Sequence, residues 1–455
     1  MKISVIGGGG VRSMFLAKSL AQSSEELGFD EIVFMDNDEK KLNIYGRMAV
    51  QVVKRLKPDL NFRLTSDPVE AVKDADYIIT TIRVGQDDMR IRDERAALAK
   101  GLLGQETTGA AGFSFAMRSV PALAKYCELA KEYASKNVKI FNFTNPAGVV
   151  SQTLRDMGYD FTFGICDAPS SLLHSFAKMY GQPQDAVTGD CYGLNHLSFF
   201  KSVRLKGREI MGELLQDDRL YTDTDMRFFK KDLVGHMGCI LNEYLYYFYY
   251  REQAIKNILD ARITRGEVIR DVNRHMMEEL SSMDIEKDFE NCLQIFDTWY
   301  GKRENAYMAN ETGIKRAKAP YHFDMYAEEA GGYAGVALNY IRAELSGQER
   351  EMILCVPNQG AIPGLLDTDV VEITCTIKDG NYIPHKISEP DPMPMELIRQ
   401  VKAYERLASE ALRIKSISRA IDCLMVHPLV NSYSLARELV EEYVESNHEY
   451  TEGWS

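Results

Sequence analysis

A thiol and an imidazole are the side chains that point most directly to chemistry in this chain. Cys166 lies in the segment 164–169, and His196 closes the segment 193–196. Thiolate sulfur and imidazole nitrogen are both ligands of divalent transition metals. A single cysteine at a strand end is usually a small buried apolar residue, and a single histidine is more often a structural one. The pair therefore indicates a metal site only in combination with the elements that position it.

The first third of the chain has the pattern of a dinucleotide-binding fold. A predicted strand, four glycines, a predicted helix and a second strand that ends in an acid follow one another: 2–6, Gly7, Gly8, Gly9, Gly10, 11–26, 31–35 and Asp36. Glycines let the backbone approach a pyrophosphate, and the helix N-terminus carries a partial positive charge. An acid at this position accepts hydrogen bonds from a ribose and repels a 2′-phosphate. The pattern thus favours NAD over NADP.

Further strands are predicted at 62–65, 77–82, 138–143 and 161–165, with helical patterns between them. This alternation predicts an α/β fold with a Rossmann-like, doubly wound parallel sheet. Ligands of such sheets bind beyond the carboxyl ends of the strands, where Arg83, Asn145 and Cys166 are expected.

From about Tyr192 the pattern changes to hairpin-like strands and then to amphipathic helices over 393–417 and 434–444. We therefore predict an NAD-binding Rossmann-like domain over 1–190. An α+β domain over 191–455 would serve substrate binding, metal binding and oligomerisation.

Bulk composition excludes several classes of partner. The net charge of −13 argues against a nucleic-acid partner, because Lys and Arg are not in excess. No apolar stretch is long enough to span a bilayer. The eight cysteines show no CxxC spacing, which predicts reduced thiols in a cytoplasm. The glycine run begins too early to leave room for a signal peptide.

An ordered set of motifs over nearly the whole chain resembles the NAD-dependent family-4 glycoside hydrolases. The motifs lie at 7–10, 82–85, 104–107, 117–119, 144–147, 166–169, 193–196, 243–245, 264–268, 357–362 and 427–430. Any one of them is weak, whereas the set in this order is specific. The resemblance implies a hydrolase whose members are typically dimers or tetramers, so a homodimer or homotetramer is expected.

The resemblance also implies roles for the matching positions. Cys166 and His196 would be the protein ligands of a divalent ion, usually manganese, and Tyr244 would be the catalytic base. Asn145, Asp167 and Arg265 would contact the substrate, the arginine through the phosphate of a sugar 6-phosphate. Segments that line the same pocket would contribute two further side chains, Arg90 and Glu106.

The implied reaction is a redox-assisted elimination. NAD takes hydride from C3 of the sugar, and the metal polarises the resulting carbonyl. Tyr244 then removes the acidified C2 proton, the C1 substituent leaves, water adds at C1, and hydride returns to C3. The expected substrate is a phosphorylated disaccharide or an aryl 6-phospho-glucoside.

Departures from the family pattern bear on specificity. Gly10 stands where the family commonly has serine. Asp167, directly after the cysteine, resembles 6-phospho-α-glucosidases. However, the stretch 235–242 before the tyrosine has no carboxylate to protonate a leaving group and offers only His236, and 203–210 is closer to the β-type. We therefore predict a 6-phospho-β-glucosidase, with the α-type enzyme as the alternative.

Two readings from other classes remain open on the residues alone. One is an NAD-dependent 2-hydroxyacid dehydrogenase, which shares the nucleotide fold and needs no metal. The other is a non-enzymatic nucleotide-sensing module, which would have no use for Cys166, His196 and Tyr244 together.

Overall fold

The computed structural model describes residues 1–315, 320–328 and 332–455. The chain forms two compact units, each built from discontinuous segments. Unit 1 comprises 1–104, 118–144 and 252–329, and unit 2 comprises 105–117, 145–251 and 330–455. Because each unit combines three separate segments of the chain, no single boundary divides them. The domain boundary at residue 190 therefore stays a prediction.

The part of unit 1 that the structure describes contains a parallel sheet of five strands. They are β1 (Lys2–Ile6), β2 (Glu31–Met35), β3 (Asn61–Thr65), β4 (Tyr77–Thr80) and β5 (Lys139–Asn142). The order across the sheet is β3-β2-β1-β4-β5, and each pair is parallel. Every residue of β1 and β4 is buried, as expected for strands covered on both faces. The doubly wound order confirms the predicted Rossmann-like sheet.

The helices of unit 1 cover this sheet and build a second core. They are Ser13–Leu27, Glu39–Lys41, Leu42–Gly46, Arg47–Leu56, Pro68–Val72, Gln86–Ala99, Ala111–Tyr133 from Arg118 onward, Arg251–Ala261 from Glu252 onward, Arg265–Ser281, Phe289–Asn305 and Ala309–Thr312. One buried cluster includes Met14, Met48, Met276 and Phe296. The first helix begins at Ser13 and not at residue 11, because the glycine turn continues to Arg12.

The described residues of unit 2 contain eight strands in two groups. They are β6 (Thr162–Gly164), β7 (Val187–Leu194), β8 (Leu197–Leu205), β9 (Arg208–Glu209), β10 (Ile240–Leu241), β11 (Arg350–Pro357), β12 (Val370–Lys378) and β13 (Asn381–Pro384). One group is antiparallel in the order β13-β12-β11-β6, and the other is a hairpin of β7 and β8 with β10 and β9 paired to β8. The hairpin starts before the predicted Tyr192, since Gly189 interrupts the apolar alternation of β7.

The helices of unit 2 are Ala147–Asp156, Ala168–Met179, Gln184–Ala186, Met211–Gln216, Leu220–Asp223, Asp225–Phe228, Lys231–Met237, Glu243–Leu245, Tyr246–Tyr249, Gly332–Ser346, Pro392–Ile414, Ile417–Val426 and Tyr433–Ser446. The two predicted amphipathic helices correspond to Pro392–Ile414 and Tyr433–Ser446. Among the helices of the described ranges, none is long and apolar enough to cross a bilayer.

Candidate active site

The glycine turn after β1 is shaped for close backbone approach. Gly7 has a φ of +100°, and a Cβ there would lie 2.5 Å from the carbonyl oxygen of Thr81. The Gly9 N–H donates to Asp36 Oδ2 at 2.9 Å, and a Cβ on Gly9 would meet the same oxygen at 2.8 Å. The turn therefore demands glycine at both positions, and it leads into the N-terminus of the helix Ser13–Leu27.

Gly7 gives a direct stability prediction. We expect Gly7→Ala to lower the free energy of unfolding by more than about 2 kcal/mol, because the new Cβ adds a backbone clash to left-handed strain. Gly101 is the matched control, since its φ is +70° and a Cβ there meets nothing within 4 Å. Gly101→Ala should cost only about 1 kcal/mol. Urea unfolding measures both, and equal losses in the two variants would contradict the clash.

Asp36 lies at the end of β2, as predicted. Its Oδ1 accepts the Asp38 N–H at 3.0 Å, and its Oδ2 accepts the Gly9 N–H. Burial raises the pKa of this carboxyl, while these two backbone N–H groups act to lower it. Each oxygen keeps a lone pair for a further donor. A Cβ on Gly10 would lie 3.3 Å from the Gly7 carbonyl oxygen, so the serine that the family commonly has would require a small shift of the turn.

Three arginines of unit 1 were predicted to bind ligand. Arg83 follows β4 and is half-buried, and Arg90 is buried with its Nε 2.8 Å from Glu94 Oε1. Glu94 Oε2 accepts the N–H of Gly266, the residue after Arg265. Glu94 was not among the predicted site residues, although it lies four residues from Arg90 on a predicted helix, the spacing at which side chains pair.

Arg265 has unused hydrogen-bonding capacity. Its Nη2 donates to the Arg303 carbonyl at 3.1 Å, whereas its buried Nη1 has no hydrogen-bond partner among the described residues. Burial lowers the pKa of its guanidinium, and Arg90 lowers it further. A buried donor without a partner is costly, and an anion such as a phosphate oxygen would satisfy it.

In unit 2, His196 and Tyr244 form a stacked pair of rings. His196 occupies the two-residue turn between β7 and β8 with a φ of +63°, which is uncommon for a residue other than glycine. Its ring lies 3.8 Å from that of Tyr244, with an interplanar angle of 3°. The Tyr244 N–H donates to Asn242 Oδ1 at 3.0 Å. Burial lowers the pKa of His196 to about 4, so the imidazole is neutral near pH 7.

One of the two ring nitrogens of His196 is used in a hydrogen bond within the protein. Its Nδ1 lies 3.0 Å from Thr107 Oγ1, and that hydroxyl donates to Gln105 Oε1 at 2.8 Å. Thr107 is then an acceptor for the Nδ1–H, which leaves the lone pair of Nε2 for a cation. Gln105 Oε1 also accepts the Thr107 N–H and both donors of Thr108, so the segment is tightly held. The segment 104–107 is one of the sequence motifs, but no role was predicted for Gln105 or Thr107.

Cys166 follows β6 and is buried. Burial raises the pKa of its thiol, and the nearby Glu372, Asp167 and Glu243 raise it further. Glu372 also accepts a hydrogen bond from Asn195, the neighbour of His196, and Glu243 precedes Tyr244 in sequence. The thiol therefore shares its surroundings with the segments that carry the stacked rings.

The donor set suits a divalent metal that retains open positions. Described residues contain no group of three or more His, Cys, Asp or Glu that could hold a metal ion. A cation bound by Cys166 and His196 would thus take its remaining ligands from substrate or water, as an open catalytic site requires.

The other predicted site residues lie in unit 2 with less specific surroundings. Asn145 precedes a cis peptide bond to Pro146, and Asp167 is the half-buried residue before the helix Ala168–Met179. Glu106 acts electrostatically on His196 and raises its pKa against the larger effect of burial. His236 is exposed in the last turn of Lys231–Met237, and no described contact joins it to Tyr244.

A Rossmann-like unit with a glycine turn, together with a unit that carries a thiol, a neutral imidazole and a phenol, defines an α/β enzyme with a candidate metal centre. Models of the family 4 glycosyl hydrolase and of the family 4 glycosyl hydrolase C-terminal domain match residues 2–182 and 191–430. The chain belongs to glycosyl hydrolase family 4, which confirms the resemblance seen in the sequence.

The relatives include both anomeric types. The chain is 32% identical to the 6-phospho-beta-glucosidase BglT of Thermotoga maritima, with 99% of each protein covered. A solved structure of the Thermotoga maritima 6-phospho-beta glucosidase with manganese, NAD+ and glucose-6-phosphate has a TM-score of 0.81 at 29% identity, covering 99% of each chain. A 6-phospho-alpha-glucosidase from gut microorganisms, solved with NAD and glucose-6-phosphate, has a TM-score of 0.78 at 26% identity, covering 100% of this chain and 99% of that one.

Proposed function

We propose that this protein hydrolyses 6-phospho-glucosides, with NAD and Mn²⁺ or another divalent metal as cofactors. The observation that carries the proposal is the stacking of His196 on Tyr244, with the imidazole neutral and its Nε2 lone pair available. Membership of the family and relatives that act on phosphorylated glucosides support it. The same membership favours hydrolysis over the dehydrogenase and nucleotide-sensing alternatives.

Unit 1 would bind the charged groups. The backbone of Gly7, Gly8, Gly9 and Gly10 would receive the dinucleotide phosphates, and Asp36 its adenosine ribose. Arg265 would bind the sugar phosphate through its unpartnered Nη1, in a segment that Arg90 and Glu94 hold in place. Arg83 would add positive charge beyond the end of β4.

Unit 2 would carry the proton chemistry. Cys166 and His196 would hold the metal, and Tyr244 would take the C2 proton. Contacts to the sugar would come from Asn145, Asp167 and Glu106. When bound, NAD accepts and returns a hydride and the metal acts as a Lewis acid. Positive charge near a phenol favours its phenolate form, which is the form that can take a proton.

We infer a preference for the β anomer. The stretch 235–242 offers only the exposed His236 as a leaving-group acid, and elimination of a good leaving group needs little acid assistance. The α-type activity is the second candidate, because Asp167 follows Cys166 directly and its carboxyl could protonate a leaving group.

The test compares aryl 6-phospho-α- and 6-phospho-β-glucosides with and without NAD, Mn²⁺ and reductant. We expect faster release of the aryl group from the β anomer, and no release once NAD is stripped and the metal chelated. Cleavage that persists without both cofactors contradicts the proposal, and faster cleavage of the α anomer reverses the assignment of specificity.

Arg265 provides a prediction on phosphate recognition. Arg265→Met should lower kcat/KM for a phosphorylated aryl glucoside about 10–100-fold, because a charge-assisted hydrogen bond is lost. Arg274→Met on the same helix is the control, since Arg274 is exposed and pairs with Glu278. Steady-state kinetics on phosphorylated and unphosphorylated substrates measure the effect, and equal losses on both would argue against a phosphate contact.

We also propose a cellular compartment and an oligomeric state. All eight cysteines are free, which suits a reducing cytoplasm. We propose that the protein assembles as a homodimer or homotetramer, and light scattering coupled to size exclusion would give the mass.

A further inference from the structure

The strand β12 carries one buried carboxylate among its Val, Ile, Thr and Cys residues. Glu372 is 1% exposed, and strand neighbours such as Val371 and Ile373 are also buried. Its Oε1 accepts the Asn195 side-chain N–H at 3.0 Å, and its Oε2 accepts the Ser198 hydroxyl at 2.6 Å. Burying a carboxylate is costly, so a position that keeps one usually uses its hydrogen bonds.

The first hydrogen bond reaches the turn that carries His196. Asn195 and His196 are the two residues between β7 and β8, and His196 has left-handed backbone geometry. Such a conformation persists in a non-glycine residue only where the surroundings hold it. Glu372 anchors Asn195 from the neighbouring strand, and thereby fixes the direction of the imidazole.

The second hydrogen bond leads to Tyr244. Ser198 Oγ, which donates to Glu372, accepts the side-chain N–H of Asn242 at 3.3 Å. The Asn242 backbone N–H donates to the Ser198 carbonyl at 3.0 Å, and Asn242 Oδ1 accepts the Tyr244 N–H at 3.0 Å. The order Glu372, Ser198, Asn242, Tyr244 is a continuous hydrogen-bonded chain.

We infer that Glu372 is a positioning residue that fixes the relative placement of His196 and Tyr244. It does so through two branches of hydrogen bonds, one that leads through Asn195 and one that leads through Ser198. The inference rests on the proposed function, because it gives the two rings their roles as metal ligand and base. The carboxylate acts through Asn195 and Ser198 and not by contact with either ring. A single group that supports both branches would keep the metal and the base at a constant separation during turnover.

Thr374 provides a control that distinguishes this positioning role from a general contribution to the stability of the fold. It lies two residues along the same strand, is 2% exposed, and its hydroxyl donates to the Gly189 carbonyl at 2.7 Å and accepts the Cys191 N–H at 2.9 Å. Thr374→Val therefore removes two buried hydrogen bonds to β7 without touching the Asn195 or Ser198 branch.

The experiment compares Glu372→Leu, Glu372→Gln, Ser198→Ala and Thr374→Val in the full-length protein. Mn²⁺ affinity is measured by electron paramagnetic resonance with NAD and glucose 6-phosphate present, kcat with an aryl 6-phospho-glucoside, and folding by thermal unfolding. Glu372→Leu should weaken Mn²⁺ binding about 10–100-fold, as loss of a support behind a metal ligand does. Glu372→Gln keeps one acceptor oxygen and can reverse the bond to Ser198, so it should recover most of that loss.

The other two variants distinguish the effects on Mn²⁺ affinity, on kcat and on stability. Ser198→Ala removes the side-chain link between Glu372 and Asn242 and keeps the backbone hydrogen bond between Ser198 and Asn242. We expect kcat to fall about 10-fold while Mn²⁺ affinity stays close to that of the parent. Thr374→Val should lower only the unfolding temperature. If Glu372→Leu does not fold, Glu372→Gln and Ser198→Ala decide, and the inference is overturned if both match Thr374→Val in affinity and kcat. A parent protein that neither binds Mn²⁺ nor cleaves the substrate would overturn the proposed function itself.

Discussion

Replacing Tyr244 with phenylalanine should lower kcat about 10²–10⁴-fold, the range over which a positioned general base acts. The substitution removes one oxygen and leaves the ring that stacks on His196 at 3.8 Å. The fold should therefore persist, and the loss should fall on the proton-transfer step. The measurement is exchange of the C2 proton of the substrate with deuterated solvent, together with kcat on an aryl 6-phospho-glucoside.

Tyr249→Phe is the matched control for this prediction. Tyr249 lies in the same tyrosine-rich stretch, and its buried hydroxyl has no hydrogen-bond partner among the described residues. Its removal should leave both the exchange rate and kcat unchanged. C2 exchange at the parent rate in Tyr244→Phe would show that another group is the base.

Loss of the Cys166 sulfur should abolish metal-dependent activity. Cys166→Ala would leave His196 as the one remaining protein ligand of the pair, so we expect Mn²⁺ affinity to fall by more than about 100-fold, beyond the usual effect of an outer-shell change. Titration followed by electron paramagnetic resonance measures this directly. NAD affinity should be unchanged, because the glycine turn and Asp36 do not depend on the thiol.

Cys423→Ala controls for the loss of a buried thiol. Cys423 is fully buried in the helix Ile417–Val426 and its Sγ lies 3.1 Å from the Ala420 carbonyl. This variant should lose some stability and keep its Mn²⁺ affinity. If Cys166→Ala binds Mn²⁺ as tightly as Cys423→Ala does, Cys166 is not a ligand.

Features with short-range signals could be predicted from the sequence. The strands of unit 1 are apolar runs bounded by turns, and the glycine turn with Asp36 spans only thirty residues, from Gly7 to Asp36. Local propensity and periodicity specify such elements, so their bounds differ from the structure by one or two residues in most cases. The segment that carries Cys166 was placed correctly for the same reason, because it follows a strand.

The supports of the site could not be predicted in this way. Glu372 is one acid within an apolar strand, and its partners Asn195 and Ser198 are 177 and 174 residues away in sequence. Thr107 is 89 residues from His196. Hydrogen bonds over such separations leave no periodic pattern, and they become visible only when the strands are paired. Cys166 and His196 have recognisable chemistry, whereas the groups that orient them do not.

The discontinuous make-up of the two units has a consequence for how the protein is made. Unit 1 lacks its last segment until residue 252 onward has emerged from the ribosome, and unit 2 needs residues up to 455. Neither can complete its core during the early part of translation, and β6 in unit 2 waits for its partner β11, which is encoded much later. Long-range pairing of this kind slows folding and exposes apolar surface to aggregation. Heterologous expression should therefore benefit from lower temperature and added chaperones.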